Sequence, residues 1–219
     1  MLTNILKDLF DSKIIKYALM PFFISMLVWG VVFFIFSDDI LNVVSSYLSA
    51  LPFGSSVNEW ISNIGGVLLL VFLYYQLVII STSLFSAFFV EKIVLHINSK
   101  YYNKSVRESS LKEGIIVSLK AIVAYILLFI FTFYLLFVPV VNIFYQLFLW
   151  SVATKKPLVF DSASLFCDYK SFEKKHNIKI WLIVFFTSLI YFIPVISMFG
   201  YSFSLIVMTH FVLKNCKEG

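Results

Sequence analysis

Four long uncharged stretches, Tyr17 to Ser37, Trp60 to Val90, Ala121 to Thr154 and Ile180 to Leu213, alternate with short polar clusters along the chain. The first is long enough for one helix across a ~30 Å hydrocarbon core, so a spanning helix is predicted over residues 17–37. A second spanning helix is predicted over 65–97, starting near Gly65-Gly66 and leaving the membrane around Glu91, Lys92 and His96. Ahead of both, Leu2, Ile5, Leu6, Leu9, Phe10, Ile14 and Ile15 recur at spacings of three and four between polar residues, the pattern of an interfacial helix over 1–16. The stretch from Asp38 to Glu59, with Pro52 and Gly54, reads as a loop carrying one short amphipathic helix. Asn98 to Gly114 reads as a helical turn or two, and Lys155 to Lys179 as a polar connection held at the headgroup surface by scattered Phe, Leu and Tyr.

The last two apolar blocks, residues 121–154 and 180–213, are each 34 residues long. One helix of that length would extend about 51 Å, and two full crossings would need roughly 40 residues plus a turn, so neither fits. Each block carries a proline near its middle within a repeated motif: Phe137-Val138-Pro139-Val140-Val141 returns 55 positions later as Phe192-Ile193-Pro194-Val195-Ile196. Proline removes a backbone donor and clashes with the preceding turn, which makes Pro139 and Pro194 the apices of two helical hairpins. The expected fold is therefore an all-α integral membrane protein, with two long transmembrane helices, two re-entrant hairpins of partial depth and short amphipathic helices in a single membrane domain.

Composition agrees. The 219 residues are 61% hydrophobic and 13% charged, with mean hydropathy +0.95, which excludes an ordinary soluble domain. The net charge of +5 is explained by topology rather than by nucleic acid, because the basic residues flank apolar runs instead of forming one interleaved patch. All 17 fall in the N-terminal segment, Lys92 to Lys120, Lys155 to Lys179 or the C-terminal tail, whereas Asp38 to Glu59 has none. The positive-inside rule then places both termini in the cytoplasm of a multi-pass protein, and puts both flanks of each 34-residue block on that same side. For a bacterial chain this means the inner membrane. The first apolar run exceeds a signal-peptide core, so no cleaved leader is expected. Cys167 and Cys216 fall in cytoplasmic segments and are expected to be free thiols.

In its order of motifs the chain resembles the CysZ-type sulfate permeases and their relatives in the etoposide-induced-protein superfamily. Lys16-Tyr17-Ala18-Leu19-Met20-Pro21 is similar to that family's Arg-Arg-Phe-x-x-x-Pro start of the first span. Ser86-Ala87-Phe88 with Glu91-Lys92 is similar to its Ala-Pro-Phe with a downstream Glu-Lys, and Ile193-Pro194-Val195-Ile196 with Thr209 to its second hairpin. The likeness covers roughly residues 10–213. It implies two long helices with two partial-depth hairpins and transport of a small inorganic anion such as sulfate. It also implies an anion-binding position at Lys16 and Tyr17. Here the chain departs from the family: Ile15-Lys16 stands where the family has two arginines, and Ala87 where it has a proline.

Candidate chemistry follows from polar residues in apolar surroundings. Gln76, Ser83 and Ser86 share one face of the second span; with Glu91 at its exit and Asn142 on the returning leg of the first hairpin, they are the candidate pore-lining groups. Small hydroxyl residues equally serve close helix packing, which is the alternative role for these, for Ser81 and Thr82, and for the Asn142 and Gln146 pair. Lys120 reads as snorkelling to headgroups and His210 as a hydrogen-bonded packing residue. The three histidines have no ligand spacing with each other or with the cysteines, and no phosphate-binding or nucleophile motif occurs, so no metal, cofactor or catalytic residue is assigned and an enzyme is not expected. Part-depth hairpins leave helix packing incomplete, which points to a homo-oligomer in the bilayer. The alternative function is a non-transporting membrane protein whose hairpins wedge into one leaflet to shape or assemble membranes.

Overall fold

The computed structural model describes residues 2–49, 66–138, 140–193 and 196–216. Helix α1 spans Leu2–Leu9 and stops at Asp11, whose carboxylate accepts the amide of Lys13 at 3.0 Å and so caps α2, Ser12–Ile35. The first long helix therefore starts five residues before the expected 17. Pro21 lies well inside α2 rather than in its opening turn. After Phe36 the chain enters α3, Ser37–Ser49, whose first turn carries Asp38 and Asp39 at the positive end of the helix dipole.

The second apolar stretch forms two helices, α4 over Gly66–Ser86 and α5 over Val90–Tyr101. Between them the amides of Ala87, Phe88 and Phe89 bond to carbonyls three residues back, a tightened turn that interrupts the expected 65–97 helix. From Asn103 to Ser110 the backbone is non-helical, contrary to the helical turns expected there. Asn98 holds its start, accepting from Lys104 N at 3.0 Å and donating to Lys104 O at 2.9 Å.

The remaining helices form two antiparallel pairs. Helix α6, Leu111–Thr132, ends in a 3-10 turn over Phe133–Phe137 and is followed by α7, Val141–Ala163. Helix α8, Tyr169–Ser188, likewise ends in a 3-10 turn, Leu189–Phe192, and a further short turn, Ile196–Phe199, leads into α9, Gly200–Asn215. The sequence repeat thus produces the same local device twice, a helix that tightens into a 3-10 turn just ahead of the repeated proline. Pro139 and Pro194 themselves lie outside the described residues. Val140, beside the first apex, has φ 67°, a left-handed conformation strained for a β-branched residue.

The connection from Lys155 to Lys179 is not a surface loop. Helix α7 runs through Lys155 to Ala163, and Leu158, Val159, Leu165 and Phe166 enter the core. The helix continues because Lys155 is neutralised in place: its ammonium lies 2.8 Å from Glu173, bonds Asn177 Oδ1 at 2.7 Å and sits over the Trp181 ring. The expectation of free thiols is also overturned, since Cys167 and Cys216 are joined in a disulfide. Their proximity is set by folding, which returns the end of α9 to the α7–α8 link.

Two cores result. One joins α1, α5, α9, the end of α7 and the start of α8 at the end where the basic residues gather. The other packs Ile79, Ile80, Tyr125, Tyr145, Leu149, Trp150 and Tyr191 between α4, α6, α7 and the turn after α8. Helices α7 and α9 are buried around most of their circumference, whereas α2, α6 and α8 present exposed apolar residues such as Phe34, Phe131 and Phe186. Among the described residues, three helical segments are long and apolar enough to cross a membrane: Ser12–Ile35, Val67–Ser86 and Leu111–Phe137.

Candidate functional site

Three polar places stand out against this apolar background. At the basic end, one turn spacing brings Lys13, Ile14 and Tyr17 of α2 opposite Lys92, His96 and Ser99 of α5, around a groove of ≈ 410 Å³. The Lys92 ammonium stands 5.1 Å from the centre of the Tyr17 ring, which orders both. Neither carboxylate of the adjoining clamp lines this groove. Asp11 is engaged by His96 at 3.0 Å and Lys100 at 3.1 Å. Asp8, fully buried, meets Lys100 at 2.8 Å, Tyr101 at 2.9 Å and His210 at 2.9 Å. The His96 hydrogen bond, assisted by those from Lys100 and the Lys13 amide, holds the Asp11 carboxyl down at about 2 despite the opposing effect of partial burial. The Asp8 carboxylate in turn raises Lys100. His210, buried between Asp8 and the Tyr102 hydroxyl, is a structural link that pins α1 to α5 and α9. Of the two sequence-assigned anion residues, Tyr17 lines the groove, while Lys16 lies on the adjoining exposed face and is not brought into it.

Deeper along α4, the Gln76 carbonyl accepts from the Tyr125 hydroxyl at 3.0 Å and the Trp150 indole at 2.8 Å, and its amide donates to Gln146 Oε1 at 3.1 Å. Gln146 Nε2 and the Tyr191 hydroxyl are buried with no partner among the described residues. All of these groups are uncharged. Gln76 and Tyr125 also face an otherwise apolar groove of ≈ 360 Å³ beside Trp29 and Phe33. Ser81 and Thr82 instead tie α4 to α2, through the Trp29 indole at 3.0 Å and the Ser25 hydroxyl at 3.3 Å, which is a packing role. Asn142, one turn before Gln146, is half-buried and makes no side-chain hydrogen bond among the described residues. The Ser83 side chain lies outside them.

The third place is a cavity of ≈ 30 Å³, the size of a water molecule or two, where the turn between α4 and α5 meets the start of α6 and the end of α7. Glu91, Ser109, Ser164 and Asp161 line it. Asp161 is 6% exposed and accepts from the Tyr201 hydroxyl at 2.6 Å, and Tyr201 also engages Ser86. Burial pushes the Asp161 carboxyl up to about 7, the Tyr201 hydrogen bond opposing in part. Two sequence-assigned residues, Ser86 and Glu91, thus converge on an acid that periodicity had left in a polar connection. The signal that could have found it is the apolar setting of Asp161, with Pro157-Leu158-Val159-Phe160 before it and Leu165-Phe166 after.

The model of the family described as sulfate transporter CysZ/Etoposide-induced protein 2.4 matches residues 1–200. No curated protein and no solved structure matches the chain. An all-helical architecture, three helices able to cross a bilayer and this match converge on an integral membrane protein with a transport role, and the chain belongs to the sulfate transporter CysZ/Etoposide-induced protein 2.4 family.

Proposed function

We propose that the protein moves a small inorganic oxyanion, sulfate foremost, across the bacterial inner membrane by a passive, channel-like route. The observation that carries this reading is the groove of Lys13, Tyr17, Lys92, His96 and Ser99, where two ammonium groups and a hydroxyl face one space and no carboxylate lines it. The Lys13 and Lys92 ammonium groups attract an anion there although Asp11 already engages His96, and Lys16 on the adjoining face adds long-range pull. Beyond it, the Gln146 amide and the Tyr191 hydroxyl, held beside the Gln76 network and without partners among the described residues, are neutral donors that can replace part of an anion's hydration without trapping it. Ser86 and Glu91 border the route, and Asn142 stands near its far end.

The topology that goes with this reading has both termini in the cytoplasm and both helix pairs entering from that side and turning back within the bilayer. Its support is the apolar character of the apices. Phe137, Val140 and Phe144 are all exposed, Val140 by 69%, a surface suited to hydrocarbon and unsuited to the water a fully crossing turn would meet. The same wedge-like apices favour a second reading, a membrane-shaping protein. Radiolabelled sulfate uptake into proteoliposomes separates the two. Transport predicts flux above empty vesicles that falls roughly tenfold when Lys13 and Lys92 are both changed to Ala, the loss of two charge contacts. No flux, with vesicle curvature still altered, sinks the transport reading. Part-depth hairpins leave helix faces uncovered, so the working unit is a homo-oligomer, checked by mass measurement in nanodiscs.

A further inference from the structure

Cys167 and Cys216 are the two cysteines of the chain, 49 positions apart, and the fold bonds them with their Cα atoms 6.3 Å from each other. Cys167 sits in the link between α7 and α8, its amide bonded to Ala163 O. Cys216 is the residue that ends α9, its amide bonded to Val212 O, and it is 5% exposed. The non-helical segment 103–110 lies across both: the Lys104 ammonium bonds the Cys216 carbonyl, and the Arg107 amide bonds Leu165 O at 2.8 Å. The bond therefore fastens the α7–α8 link to the end of α9, and segment 103–110 is hydrogen-bonded to both. It lies at the end of the molecule where the lysines gather, the end our topology turns towards the cytoplasm. There, soluble thiols keep dithiols reduced, and disulfides that do form are transient and responsive.

We propose that Cys167 and Cys216 form a reversible redox clasp that locks the end of α9 to the α7–α8 link. Access is one-sided. Cys167 is half-buried and opens on a polar pocket of ≈ 280 Å³ shared with Arg107, Glu113 and Lys170, whereas Cys216 is enclosed. A thiolate such as glutathione attacks the Cys167 sulfur, forms a mixed disulfide there and expels Cys216, whose backbone carbonyl the Lys104 ammonium holds, as thiolate. A second glutathione thiolate then releases the Cys167 thiolate and leaves as glutathione disulfide, and both protein thiolates take up protons. Oxidation is the reverse: two protein thiols and one glutathione disulfide give the clasp and two glutathione molecules. Reduction frees the end of α9 while leaving the Asp8–His210 link, six residues earlier, in place.

The test uses the full chain in nanodiscs, equilibrated with glutathione disulfide or with dithiothreitol and then treated with a maleimide mass tag. The expected result is no tag after the first and two tags after the second, without denaturant. Backbone amides from Phe211 to Cys216 should exchange hydrogen roughly tenfold faster in the reduced form. Cys167→Ser and Cys216→Ser should each exchange at the reduced rate under both conditions. Two tags after glutathione disulfide, a bond that survives dithiothreitol on the folded protein, or exchange independent of redox state would each overturn the clasp. Because the measurement needs neither sulfate nor an oriented membrane, its outcome is independent of the transport assay.

Discussion

Replacing Gln76 by Leu, a side chain of similar volume, removes one acceptor and one donor from the middle of the bundle. It leaves the Tyr125 hydroxyl, the Trp150 indole and Gln146 Oε1 without their partner, next to a Gln146 amide that already lacks one. In water-soluble interiors each orphaned group costs about 1–3 kcal/mol. Between membrane helices hydrogen bonds average nearer 0.6 kcal/mol, because unfolded segments also find partners in lipid, so three lost bonds amount to roughly 2 kcal/mol. For a chain of this size that is a fall in Tm of about 4–8 °C, read by thermal unfolding in detergent. If these donors lie on the anion's route, sulfate flux falls as well. Gln76→Glu, which puts a negative charge there, should lower flux further than Gln76→Leu. An unchanged Tm refutes the energetic reasoning. A lowered Tm with unaltered flux in both variants makes the network packing alone and removes it from the route.

Gly200→Ala should be severe, because a Cβ there would come 2.2 Å from Tyr191 Cε1, and the ring is backed by Trp150 at 5.3 Å with its own carbonyl held by Tyr75. Overpacking of this kind costs about 1–3 kcal/mol or more, and wild-type thermal stability would refute it. Asp161 makes stability depend on pH with a definite sign. The folded protein keeps the proton up to about 7, whereas the unfolded chain releases it near ~3.9, so this group's contribution declines as pH rises from about 4 to about 7 and is level above. Asp161→Asn should flatten that slope and be the more stable form at pH 8 in denaturation followed across pH; a variant with the wild-type slope would contradict the assignment.

How much was legible in the chain follows from which interactions are local. The proline-centred repeat, the uncharged blocks and the clustering of all basic residues away from Asp38 to Glu59 are properties of neighbouring residues, and transfer free energy sums over neighbours. The helical class and the family were therefore already present in the sequence, whereas the matching 3-10 turns ahead of Pro139 and Pro194 came only with the structure. Lys155, Asp161, Tyr17 and the cysteines show the opposite case. Lys155 stays helical and buried because Glu173 and Asn177 reach it from the next helix, and Asp161 is enclosed because Tyr201 arrives from 40 positions away. Tyr17 joins a groove only when Lys92 crosses over it, and Cys167 meets Cys216 only when α9 returns to the α7–α8 link. A charge or a thiol takes its character from whatever folds against it, and linear spacing carries no record of a partner on another helix; the sequence alone determined the apolar helical class of the chain, and the tertiary structure decided which polar groups face each other.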